Sequence, residues 1–212
     1  MTPTVPALPL VAILRGLAPN EALAVADVLY QAGFRALEVP LNRPGALDCI
    51  ALLAASAPAD TLIGGGTMLS VADVEAVHAA GGRLLVSPNC NPAVIRRAAA
   101  LGMYCAPGVA TPTEAFAALD AGAHALKLFP ADMLGHAGLT AFKSVLPASV
   151  PLWPVGGIRP ANMAGWVAAG ATGFGIGGQL YTPGTGLDEL AQRAADFVAA
   201  WRRTRVATQP TH

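Results

Sequence analysis

Eight short β-type runs recur along the chain at intervals of about twenty residues: LVAILRG (10–16), RALEVPLN (35–42), TLIGGGTM (61–68), RLLVSPN (83–89), MYCAPGV (103–109), HALKLFP (124–130), PLWPVGG (151–157) and GFGIGGQLY (173–181). The stretches between them, such as PNEALAVADVLYQAGF and SVADVEAVHAAGG, are Ala-rich and carry helical periodicity. Ser70 with Asp73, and Thr113 with Glu114 after Pro112, read as helix entries. Gly33, Gly81, Gly102, Gly122 and Gly170 read as helix exits. Strands that alternate with helices need crossover connections, which produce a parallel sheet. Eight such units within 212 residues predict a small single-domain α/β protein, a (β/α)8 TIM barrel spanning 1–212. A doubly wound sheet is the alternative. No linker or low-complexity segment suggests a second domain.

Composition narrows the class. The chain is 54% hydrophobic and only 12% charged, where about 25% charged is usual. Such a surface predicts contact with copies of the chain. Thirteen basic residues balance thirteen acidic ones, so no nucleic-acid or anionic-membrane partner is expected. Arg202, Arg203 and Arg205 form the one basic cluster, read as a solvated helix end. Cys49, Cys90 and Cys105 are scattered without a CxxC pair, which points to neither a disulfide framework nor a zinc site. The first ten residues lack a charged n-region and an apolar h-region, and no long apolar stretch runs free of Gly, Pro or charge. A soluble cytoplasmic protein is expected.

In a barrel, chemistry gathers at the C-terminal ends of the strands. Alternation along RALEVPLN puts Leu37, Val39 and Leu41 on one face, toward helices, and Ala36, Glu38, Pro40 and Asn42 on the other, toward the interior. HALKLFP behaves alike, with Leu126 and Leu128 outward and Ala125, Lys127 and Phe129 inward. An acid and an amine therefore point into one enclosed space, where a lysine has little room to snorkel. Keeping that amine neutral at pH 7 lowers its pKa by about 3 units, at a cost of roughly 4 kcal/mol. Core packing gives no reason for that cost, whereas a Schiff base does, because the iminium is an electron sink for a carbanion. Glu38 is then the proton donor and acceptor; an ion pair with Lys127 or Arg15 is the structural alternative. Gly156-Gly157 and Gly177-Gly178 end the last two strands, the usual phosphate site of a barrel, although tight turns would also explain them. GFGIGG matches GxGxxG only formally, without a following strand and ribose-binding acid. His78, His124, His136 and His212 show no metal-ligand spacing, so no metal is expected, and His124 is expected against the helix layer.

Taken together, AILRG, EVPLN, GGGTM, SPN, PGVATPTEA, LKLFPA, PVGGI and GIGGQLYTPG resemble the short pyruvate-forming class I aldolases, the 2-dehydro-3-deoxy-6-phosphogluconate and -galactonate aldolase family, over about residues 8–200. ILRG, EVPLN in place of EVTLR, and VGG in place of TGG favour the galactonate branch. The resemblance implies a homotrimeric barrel without a cofactor, acting on a phosphorylated keto acid. It also implies Lys127 as Schiff-base lysine and Glu38 as proton shuttle, with Arg15, Thr67, Pro88 and Phe129 around the pyruvate end. Gly156, Gly157, Gly177 and Gly178 would hold the phosphate, and Val155 would lie within reach of C4. The family commonly has serine at the position of Gly178, so a hydroxyl contact to phosphate is missing here. Two further readings leave Lys127 free of covalent chemistry: a sugar-phosphate isomerase or epimerase, and a phosphate-binding regulatory barrel without turnover.

Overall fold

The computed structural model describes residues 6–207. Strands and helices alternate as β1 (Leu10–Ile13), α1 (Ala22–Ala32), β2 (Ala36–Pro40), α2 (Ala46–Ser56), β3 (Leu62–Gly66), α3 (Val71–Ala79), β4 (Leu84–Val86), α4 (Pro92–Ala100), β5 (Tyr104–Ala106), β6 (Gly108–Val109), α5 (Pro112–Asp120), β7 (Leu126–Leu128), α6 (Ala131–Val145), β8 (Leu152–Pro154), α7 (Met163–Ala169), β9 (Phe174–Ile176) and α8 (Leu187–Ala207). Every predicted β run contains a strand. The run 103–109 contains two, because Pro107 has no amide hydrogen to give the ladder. Its carbonyl still accepts from the Lys127 N–H at 2.9 Å.

All named strand pairs are parallel, in a six-stranded sheet of order β5-β4-β3-β2-β1-β9 and a three-stranded sheet of order β6-β7-β8. The first strand thus lies beside the last and neighbours follow chain order, a barrel-like α/β arrangement. A doubly wound sheet would instead reverse its order at a switch point. The regular ladder is not one closed ring of eight strands. It breaks where β6–β8 are short, β6 and β8 each following a proline, and isolated contacts span the breaks. Val155 bridges Gly175, and the amides of His124 and Ala125 both donate to the Cys105 carbonyl, at 2.9 and 3.2 Å.

Strand alternation divides the apolar side chains into two cores. Leu37, Val39, Leu126 and Leu128 join the larger core between strands and helices. Val11, Ala36, Leu62, Leu84, Val86, Tyr104, Ala106, Ala125 and Trp153 form the smaller one, enclosed by the strands. Helix entries follow the expected chemistry, with one shift. Ser70 and Asp73 form a capping box, whereas the second box is Thr111 with Glu114, so Thr111 rather than Thr113 is the cap. Arg202 and Arg203 are exposed on α8, and Arg205 lies over the Trp201 ring at 5.7 Å. No described helix is long and apolar enough to cross a membrane.

Candidate active site

The alternation of β7 fixes the direction of its lysine. Leu126 and Leu128 are fully buried against helices, which turns Lys127, 7% exposed, into the strand interior. There its amine lies 4.8 Å from the centre of the Phe129 ring. Burial pushes the amine's pKa down; nearby Glu38 opposes that shift and Arg15 adds to it. Glu38 on β2 faces the same space and is 2% exposed. Burial pushes its carboxyl up to about 7, against the opposing pull of Lys127 and Arg15. Its Oε2 has no hydrogen-bond partner. Among the described residues neither group has an opposite charge within 4.0 Å, so the structural ion pair is not formed. Both groups line an inner cavity of about 10 Å³, room for about one water molecule.

Above it opens a cavity of about 280 Å³ at the C-terminal strand ends. Its walls include Arg15, Phe129, Val155, Gly156, Gly157, Gly177 and Gly178, and it shares Ile13, Val155 and Gly175 with the inner cavity. Gly156 (φ 116°) and Gly157 (φ 65°) are both left-handed, a run that residues with a Cβ resist. After β9 the amides of Leu180 and Tyr181 donate to the Gly177 carbonyl at 2.8 and 3.1 Å. This makes one helical turn, whose leading amides lack partners within the turn. Two glycine loops therefore frame the outer cavity, and an amine–carboxyl pair lies beneath it.

A sequence model of the KDPG and KHG aldolases matches residues 3–191. The chain belongs to this aldolase family. It is 50% identical over 193 residues to the probable 2-dehydro-3-deoxy-6-phosphogalactonate aldolase of Rhizobium meliloti (strain 1021), covering 91% of each chain. It is 46% identical over 195 residues to the 2-dehydro-3-deoxy-6-phosphogalactonate aldolase of Escherichia coli (strain K12), covering 92% of this chain and 95% of the relative. A solved structure described as native KDPGal superposes with a TM-score of 0.93 at 45% identity, covering 94% of this chain and 97% of the other.

In this KDPG and KHG aldolase chain, Thr67 and Pro88 border neither cavity. Thr67 follows β3 with φ 55°, the one non-glycine residue with positive φ among those described. For a β-branched residue that conformation is strained, a mark of functional sites. Pro88 is half-buried after β4, and its carbonyl would lie 2.4 Å from a Cβ on Gly108. Asn42 does not face the interior: β2 ends at Pro40, and Asn42 is exposed in the loop beyond. His124 does not lie against the helix layer either. Its ring stacks on Tyr104 at 4.9 Å, and its Nδ1 accepts from the Cys105 amide at 3.1 Å. Sequence reading passed over Tyr181, an outer-cavity wall whose hydroxyl donates to Glu21 Oε1 at 2.5 Å. Its place beside GGQL was a signal; its partner, 160 residues away, gave none.

Proposed function

We propose that this chain is a class I aldolase cleaving 2-dehydro-3-deoxy-6-phosphogalactonate to pyruvate and glyceraldehyde 3-phosphate. One observation carries the reading: a buried, unpaired lysine amine with lowered pKa faces a buried carboxyl poised near neutrality, beneath a glycine-framed cavity. The neutral Lys127 amine attacks the C2 carbonyl of the keto acid, giving a carbinolamine. Glu38, through water, assists loss of hydroxide as water to form the iminium, then takes the C4 hydroxyl proton. The C3–C4 electron pair moves into the iminium as glyceraldehyde 3-phosphate departs. Glu38 returns the proton to C3 of the enamine, and water hydrolyses the pyruvate iminium to free the lysine. A carboxyl titrating near 7 can donate and accept protons with little driving-force penalty at neutral pH. Arg15 offers a guanidinium fork to the pyruvate carboxylate. Phe129 borders the pyruvate end, with Thr67 and Pro88 just past the neighbouring strand ends, and Gly156, Gly157, Gly177 and Gly178 hold the phosphate.

The test is reductive trapping. Pyruvate with borohydride adds one reduced pyruvate to the peptide containing Lys127, read by intact mass and peptide mapping. An unmodified chain sinks the Schiff-base reading. The galactonate substrate is supported by Val155, which walls both cavities between the amine and the glycine loops. We further read the strands as one functional (β/α)8 ring forming a single cytoplasmic domain. The exposed apolar side chains Leu47, Leu69, Val71 and Phe116 support covering in a homotrimer; a monomeric mass by light scattering would refute it.

A further inference from the structure

We propose that Gly66 is a positioning residue for Glu38: the side chain absent at the end of β3 is the space its carboxylate occupies. The inference rests on the reading of Glu38 as proton shuttle. A Cβ built on Gly66 lies 1.6 Å from Glu38 Oε2, 2.4 Å from Cδ and 2.7 Å from Oε1, so its three nearest neighbours all belong to one carboxylate. Register places Gly64 beside Glu38 and Gly66 beside Pro40, so the Glu38 side chain leans along β3 toward the C-terminal strand ends. Backbone conformation does not demand glycine here, because Gly66 is not among the positive-φ residues. Glycine inside a strand also costs conformational entropy and packing, so stability alone disfavours it.

The neighbouring glycines answer to different demands. A Cβ on Gly64 would lie 1.9 Å from the Leu84 carbonyl oxygen, a close approach of two strand backbones. One on Gly65 would meet Val77 and Met68 at 2.8 and 2.9 Å, on the helix side of the sheet. Only the third glycine of GGG touches the acid. With no hydrogen-bond partner on Oε2, the carboxylate takes its position from the walls around it, and Gly66 is the wall with no atoms to spare.

The experiment compares Gly66→Ala with Gly65→Ala, a methyl of the same size on the opposite face. Three readouts are followed: borohydride adduct at saturating pyruvate, deuterium exchange into the pyruvate methyl group by NMR, and cleavage of the phosphorylated keto acid. Gly66→Ala is expected to keep the adduct while exchange and cleavage fall together on the order of 10²-fold, as for a displaced acid/base. Gly65→Ala is expected to lower the melting temperature and leave exchange within about threefold of wild type, the methyl being remote from the acid. The shorter Glu38→Asp, slower than wild type by itself, is expected to speed exchange when combined with Gly66→Ala, because it withdraws from the added methyl. The inference is overturned if folded Gly66→Ala exchanges like wild type, if Gly65→Ala is equally slow, or if the two effects in the double variant simply multiply. Should Gly66→Ala prove too unstable to assay, Glu38→Ala is expected to restore its melting temperature, and failure to do so overturns the inference. Wild-type protein that neither traps nor exchanges would instead bring down the aldolase reading beneath it.

Discussion

Glu38 and Tyr104 both point into the space enclosed by the strands, and each buries an oxygen with no hydrogen-bond partner. Their surroundings differ in kind. Around Tyr104 the interior is filled: its ring stacks on His124 at 4.9 Å and on Trp153 at 5.7 Å, and Trp153 in turn closes the inner cavity from below. Around Glu38 two side chains are missing, and the room left by Gly66 and Gly175 is taken by the Glu38 carboxylate and by Val155, beside a cavity of about 10 Å³. The filled end buries aromatic area and tolerates two orphaned polar atoms, the Tyr104 hydroxyl and Trp153 Nε1, as a small loss. The open end buries a carboxyl and an amine, which costs more and yields chemistry. One enclosure thus trades stability for reactivity over the length of a short strand.

The largest expected effect comes from removing the amine. Lys127→Met abolishes the pyruvate adduct and turnover, yet is expected to stabilise the fold by about 1–3 kcal/mol, because an unpaired buried amine gives way to an apolar group of similar size. Calorimetry reads that gain as about 2–4 °C per kcal/mol for a chain of this size. A lower melting temperature would mean that the open end contributes stability after all.

Glu38→Gln is expected to keep adduct formation while slowing turnover on the order of 10²–10⁴-fold. It also changes the pH dependence of stability. The folded carboxyl titrates near 7 rather than 4.5, so between those values the folded chain holds a proton that the unfolded chain has released. Wild-type stability therefore falls as pH rises through that window, by about 3 kcal/mol for this group. Urea denaturation at pH 5 and pH 8 should show that fall reduced in the variant; an unchanged difference would remove Glu38 as its source.

At the filled end, Tyr104→Ala is expected to cost about 3–5 kcal/mol of stability through the lost stack. The fraction of folded chain trapped by pyruvate should stay the same. Loss of trapping in folded protein would join the two ends into one functional unit.

The smallest effect is expected at the boundary. Valine at 155 cannot hydrogen-bond the C4 hydroxyl, and Val155→Thr supplies a group that can. One such bond is worth roughly 1–3 kcal/mol, or one to two decades in rate. The variant should shift the cleavage ratio of the two pure C4 epimers toward the gluconate compound, with released pyruvate coupled to lactate dehydrogenase. An unchanged ratio would remove Val155 from epimer selection.

Much of this was legible in the sequence. Alternation in RALEVPLN and HALKLFP put Glu38 and Lys127 on the enclosed face, since side-chain direction in a strand follows parity. Parity fails past the strand's end, which is why Asn42 turned out exposed beyond Pro40. Pro107 was itself a local sign of a broken strand, since it gives the ladder no amide, but which hydrogen bond is lost depends on the neighbouring strand. His124 looked like a residue for the helix layer and instead lies on an aromatic ring twenty residues earlier in the chain.

By itself, then, the sequence determined the repeating strand–helix order, the facing acid and amine, and the family, because each rests on local periodicity or on short motifs. Tertiary structure decided whether that acid and amine pair or stay apart. It also decided how far burial moves their pKa values, and that a glycine on a neighbouring strand is the seat of the acid. Those outcomes depend on distances and dielectric surroundings set by residues remote in the chain, as when Tyr181 reaches Glu21 across 160 positions.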